Sequence, residues 1–434
     1  MAYPFSATAQ RHLRRNFGLG IANGALFNLS ASLLDPSLVL TWLASQLTSS
    51  NLLIGLVVSI NQGGWFLPQL LVSGYLQGRE RKLPFYVAVG APRAICWASM
   101  ALALFLITDR AVLLVLFYTL LTVYSLADGL AGLPFMDIIA KAIPSNRRGS
   151  FFGWRRFLGG ILALGGSLVV KYVLDERQGL AFPHNFAVLF FLASLGISAT
   201  MISFGLFVEP VDPELNQSVD LLSQMKRALH LPRRDVNYGR FLAVQFLVRA
   251  AGMATPFYIV YAKRVLGVSA GMVGFYLIWA TLAGISSTLV WGRISDRRGN
   301  RGLISLVALV GLATPLAALF IPPLVSWQPL VTAQASHAFT VVFVLSNVFQ
   351  MGWAIGYLNY LLDIAPAQER PLYVGLANTL TGLTILVSAA GGLIVDLAGL
   401  AALFWVAAAF YAGALLLAGG LQEPRETVKG RNYA

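Results

Sequence analysis

The sequence predicts an all-α membrane protein of twelve transmembrane helices, arranged as two pseudo-symmetric six-helix halves. Three observations carry that prediction. Of 434 residues, 57% are hydrophobic and only 11% are charged, against about a quarter charged in soluble domains. The apolar residues come in runs of twenty or more, and residues 51–78, 186–208 and 397–422 contain no Asp, Glu, Lys or Arg at all. Each run is long enough to cross a hydrocarbon layer of about 30 Å as a helix, and none shows the alternation of a β-barrel strand. The third observation is an internal repeat.

Charge clusters and Pro/Gly-rich turns bound the spans. They fall near residues 17–46, 51–77, 84–107, 111–141, 151–173 and 185–208, then 239–263, 268–294, 302–323, 335–363, 373–396 and 398–421. The uncharged stretch 302–362 is too long for one helix, and Pro322, Pro323 and Pro329 mark its turn. Arg11, Arg14 and Arg15 lead into a long first span with no secretory cleavage site behind it. A polar break then divides the chain into residues 1–208, a linker 209–238 and residues 239–434. Inside the linker, Leu222, Met225 and Leu229 recur at helical spacing opposite Asp220, Gln224 and Arg227, which predicts a short amphipathic helix on the membrane surface.

The net charge of +13 follows the membrane rather than a nucleic-acid partner. With the N-terminus inside, the outer side holds only Arg110, Lys171, Arg177, Lys263 and Arg264, while Arg93 and Arg249 fall within spans; the remaining Lys and Arg lie on the inner side. This asymmetry places both termini in the cytoplasm. Cys96 is the only cysteine, so intrachain disulfides and cysteine-based redox or zinc chemistry are excluded. No metal ligand set or cofactor motif is present.

The two halves repeat each other. "AIPSNRRGSFFGWRRFLGG" from Ala142 lies over "IAPAQERPLYVGLANTLTG" from Ile364, matching Pro144 with Pro366, Arg148 with Arg370, Gly153 with Gly375 and Gly160 with Gly382 at a constant offset of 222 residues. Asn16 and Gly18 likewise match Asn237 and Gly239, and Gly74 matches Gly292. Ordered matches at nearly one offset indicate a duplicated unit, and such repeats form substrate sites at their interface near the midplane.

The stretch "GRISDRRGNRG" makes the reading specific. Gly292, Asp296, Arg297, Gly299 and Arg301 fit the pattern G-x-x-x-D-R-x-G-x-[RK] that the major facilitator superfamily carries after the second helix of each half. The chain resembles that superfamily over essentially its whole length. Asn stands at position 300, where a basic residue is usual, and the first half has Gly78 where the motif's Asp belongs. The resemblance implies that the Asp latches one half against the other on the cytoplasmic side. By pseudo-symmetry its expected partner is the start of span five, with Arg155 and Arg156. The competing reading is a basic loop that only sets topology.

Charge inside a membrane costs about 2.5 to 3.5 kcal/mol on insertion scales, so it faces a cavity or a partner. Four such residues are Asp35, Arg93, Asp128 and Arg249. The resemblance makes spans one, four, seven and ten the cavity lining. Counting along the helices puts Asp128 and Arg249 near mid-depth, where Asp128 serves either proton coupling or a pair with Arg249 or Arg93. Arg249 is an anchor for an anionic substrate group or that partner. Asp35 shares a face with Asn28 and Ser32 and has no basic neighbour on its own helix. Arg93 is expected nearer the inner face, snorkelling or touching a loop. Tyr124, Gln245, Asn347, Gln350 and Tyr357 complete an expected polar, aromatic-edged lining. Asp137 and Lys141 read as a structural i, i+4 pair, and of four scattered histidines only His337 is placed to reach the outer mouth.

The function implied is secondary active transport of a small molecule by alternating access, coupled to protons, with efflux of a lipophilic or cationic compound expected. Uptake or exchange of an organic anion at Arg249 is the alternative, and a non-transporting membrane sensor is the alternative of another class. An enzyme would need a convergent nucleophile, base or metal cluster at the membrane surface, and none is visible. The expected setting is a bacterial inner membrane, as a monomer whose partners are substrate, protons and lipid.

Overall fold

The computed structural model describes residues 7–77, 79–211, 229–326, 332–366 and 369–423. Every regular element among them is helical. In chain order these are α1 (Ala7–Leu33), a π-helical turn (Pro36–Leu40), α2 (Thr41–Leu47), α3 (Asn51–Gln77), α4 (Leu83–Leu106), α5 (Arg110–Ala142), α6 (Ser145–Leu174) and α7 (His184–Gly205). The second half continues with α8 (Val236–Ala251), α9 (Thr255–Val265), α10 (Gly271–Ser326), α11 (Thr332–Ala338), α12 (Thr340–Ile364) and α13 (Arg370–Gly419). Nine helices among the described residues are long and apolar enough to cross a membrane. Two of these, α10 and α13, each hold two membrane lengths, and their helical backbone is broken at Gly299 (φ 76°) and Gly399 (φ 85°). Those conformations suit glycine, which has no Cβ to clash there.

Local chemistry explains the ends. Asp109 caps α5 by accepting from the backbone N–H groups of Ala111 and Val112, and Asp235 caps α8 through Tyr238 N–H. The first span is not one helix, as its apolar run had suggested. It stops at Leu33, and Asp35 accepts from Ser37 and Leu38 N–H to start the π-helical turn behind Pro36. The expected amphipathic linker helix lies mostly on residues 212–228, outside the described residues.

The chain forms two compact units. In the first, α1 packs on α6 and α7, and α4 packs on α5 and α7. Tyr86, Phe135, Phe151, Phe204 and Phe207 gather in one aromatic core. In the second, α8 runs along α13. Two short stretches depart from the division read from the sequence: residues 50–59, opening α3, belong to the second unit, and residues 269–275 belong to the first.

Candidate functional site

A buried ion pair stands at the centre of the first unit. Arg93 on α4, 2% exposed, binds the carboxylate of Asp128 on α5. The hydroxyls of Tyr86 and Tyr124 lie against the same guanidinium, and the Phe27 ring sits 5.8 Å from it. Trp97 meets Tyr124 edge to face at 5.2 Å between centroids. Arg93 therefore does not snorkel to the inner face as expected. A guanidinium in mid-helix needs a desolvated partner, and α5, packed against α4, supplies one. Of the partners left open for Asp128, Arg93 is the one it binds.

On α1, Asn28 and Ser32 were expected to line a cavity beside Asp35. Both side chains bond carbonyls of their own helix. Asn28 donates to Gly24 O and Ser32 to Leu29 O. The glycines of α6 let α1 come close: a Cβ at Gly159 would meet Asn28 Nδ2 at 2.7 Å, and one at Gly166 would meet Ser32 Oγ at 2.0 Å. Asp35 is a helix cap.

In the second unit, Gln245 is 2% exposed and donates to Ala377 O and Thr381 Oγ1 on α13. It joins α8 to α13. Asn347 packs against Gly284, and Gln350 is exposed. Tyr357 donates to Asn378 Oδ1 at 3.2 Å and stacks on Phe241 and Trp353. Arg249 lies buried in the same unit, with the phenols of Tyr357 and Tyr411 as its charged-range neighbours. His337 is exposed on α11.

The turn between the second and third spans of each repeat is held by a hub. In the first, Asn16 exchanges two hydrogen bonds with the backbone of Val208, at 2.9 and 3.1 Å. Glu209 accepts from the backbone N–H of Lys82 and Leu83, while Lys82 pairs with Asp137 at 2.8 Å. In the second, Asn237 accepts from Gln422 N–H at 2.9 Å. Glu423 accepts from Arg301 N–H at 3.0 Å, and Asn300 donates to Asp363 at 2.6 Å. Arg301 also donates to Gly419 O. By the repeat that aligns Gly74 with Gly292, Lys82 matches Asn300 and Leu83 matches Arg301; at the offset of 222 Asp137 falls opposite Asn359 and Asp363 opposite Lys141, so the hubs share their Asn and Glu anchors but not their Asp.

The family model described as the Major Facilitator Superfamily matches residues 20–383 and 241–433. The chain belongs to that superfamily. Solved superfamily folds cover nearly all of it: the D-xylose-proton symporter (TM-score 0.69, 16% identity, 95% of this chain and 99% of that one) and the nucleoside transporter NupG (TM-score 0.68, 16% identity, 94% and 98%). At these identities the likeness shows the fold. By sequence the chain is 22% identical over 405 residues to the uncharacterized protein Rv2209 of Mycobacterium tuberculosis, covering 88% of this chain and 72% of that protein. The protein is thus a membrane transporter of the superfamily rather than an enzyme.

Within the superfamily motif, the residues divide by role. Gly299 makes the turn, and a Cβ there would meet Glu423 at 2.3 Å. A Cβ at Gly292 would meet nothing within 4 Å, so no close helix approach explains a glycine there. Asp296 and Arg297 are exposed. Arg155, an expected latch partner, turns into the first unit: it donates to Gly20 O and Asn23 Oδ1 and lies 4.4 Å from the Phe135 ring centroid. Its neighbour Arg156, about 100° further round the helix, is exposed. The sequence reasoning missed Glu209 and Glu423. The signal was present, because each repeat ends its sixth span in Glu-Pro, at Glu209-Pro210 and Glu423-Pro424.

Proposed function

We propose that this transporter is proton-coupled and that Asp128 carries the proton. The observation behind the reading is the buried Arg93–Asp128 pair. Protonating Asp128 breaks the pair, and an unpaired buried guanidinium is costly. Here Tyr86, Tyr124 and the Phe27 ring are at hand to hold Arg93 in the interval. Loading and unloading a proton is thereby a switch between two satisfied arrangements. We place both termini in the cytoplasm, as a monomer in a bacterial cell membrane, and assign the inner latch to Asp296.

Efflux of a lipophilic or cationic compound drew on Asp35, which caps a helix, so geometry favours the other substrate class. Arg249, buried with the phenols of Tyr357 and Tyr411 nearby, is a planar donor suited to a carboxylate or phosphate. Uptake or exchange of an organic anion is the reading this supports.

The test begins with a thermal-shift screen against metabolite and drug libraries, since a ligand of the folded state stabilises it. With a hit in hand, proteoliposomes under an imposed pH gradient compare the parent with Asp128→Asn. The variant should lose gradient-driven accumulation while keeping exchange; driven accumulation at the parent level would overturn the assignment.

A further inference from the structure

Asn51, the first residue of α3, holds the opening stretch of that helix in the second unit. Its side chain is 8% exposed relative to an extended chain. Nδ2 donates to Asp396 Oδ1 on α13 at 2.6 Å, and Oδ1 accepts from Arg264 Nη1 at the end of α9 at 2.8 Å. A carboxamide suits this place because it donates to a carboxylate and accepts from a guanidinium at the same time while remaining uncharged. Backbone approach reinforces the relay. A Cβ at Gly392 would come within 2.4 Å of Asn51 O and 2.5 Å of Leu52 Cα, and Gly55 lies against the Phe257 ring.

The matching place in the first unit is built differently. There the stretch 269–275 approaches α6 through glycine: a Cβ at Gly274 would lie 2.2 Å from Lys171 N and Cα, and Gly271 faces Asp175. One contact is a glycine-backbone packing; the other adds a charged relay through a single amide.

We propose that Asn51 is the pin of an outer clasp. By bridging Arg264 and Asp396 it fixes the start of α3 to α9 and α13, and breaking that bridge is the step that releases α3 during the transport cycle. The proposal rests on the orientation and alternating states assigned above, but its readout needs no substrate.

The experiment uses the full chain in proteoliposomes with Cys96→Ala and a reporter thiol at Ile54→Cys, a fully buried position one turn from Asn51. The probe is a membrane-impermeant maleimide added from outside. Adding Asn51→Ala or Asn51→Asp should speed labelling about tenfold, the population shift that losing one hydrogen bond to a charged group gives. The exchange pair Asn51→Asp with Asp396→Asn restores both hydrogen bonds with the roles swapped, and should return labelling to the parent rate. Parent-rate labelling in the single variants, or fast labelling in the exchange pair, overturns the clasp. If Asn51→Ala fails to fold, Asn51→Asp against the exchange pair decides alone. Labelling as expected in a chain that moves no compound would keep the clasp and remove the transport reading.

Discussion

The two repeats anchor the turn after their second span with the same residues and then finish it with different chemistry. Asn16 and Asn237 each grip the backbone just before the Glu-Pro pair, and Glu209 and Glu423 each accept from the turn. Beside those anchors the first repeat sets an ion pair, Lys82–Asp137, with Lys141 also on Asp137 at 3.0 Å. The second sets a neutral donor on a carboxylate, Asn300–Asp363, with Ser295 donating to Asn300. Of the two mid-span arginines, Arg93 binds a carboxylate, and the phenols of Tyr357 and Tyr411 lie near Arg249. The backbone anchors are alike in the two repeats, and the groups beside them differ in charge.

The mid-depth contrast should give the largest effect. Asp128→Ala leaves Arg93 only the Tyr86 and Tyr124 phenols and the Phe27 ring and is expected to cost about 3 kcal/mol, the low end for a broken buried pair, read as a lowered melting temperature. Arg93→Gln combined with Asp128→Asn should recover much of that loss, and no recovery would mean that the pair is not the unit described. Next come the shared anchors. Glu209→Ala and Glu423→Ala should each cost about 1–3 kcal/mol. The first should be worse, because it strands two backbone N–H groups rather than one; the reverse order would break the correspondence. The smallest effect sharpens it. Asp137→Asn should cost up to about 1 kcal/mol and lose that cost in high salt. Asp363→Asn, whose amide oxygen still accepts from Asn300, should sit near zero at any salt.

The sequence carried the fold well because span length and composition fix it: twenty apolar residues admit few alternatives in a bilayer. The repeat followed from spacing, and the superfamily reading from the resemblance of one motif. The centre was harder. Counting along a helix gives depth but not direction around the axis, so Asp128 matched Arg249 in depth while Arg93, on the helix packed beside it, was assigned to the surface. Polar residues were legible as polar, yet whether Gln245 or Asn28 faces a cavity or a neighbouring helix depends on glycines and carbonyls of another segment. Asp35 is the instructive miss. Asp followed by Pro is a local start signal for a helix, and it was overlooked because the apolar run continued through it.

One consequence of the place of Asn51 concerns the order of synthesis. Asn51 finds Arg264 and Asp396 only after the chain has been made as far as the eleventh span. The first repeat, by contrast, can close its inner turn as soon as Glu209 has been inserted. Domains fold as units from the N-terminus during translation, so the nascent first repeat waits with its inner end sewn shut and the start of α3 unmatched. A ribosome stalled before residue 396 should therefore leave Ile54 open to labelling.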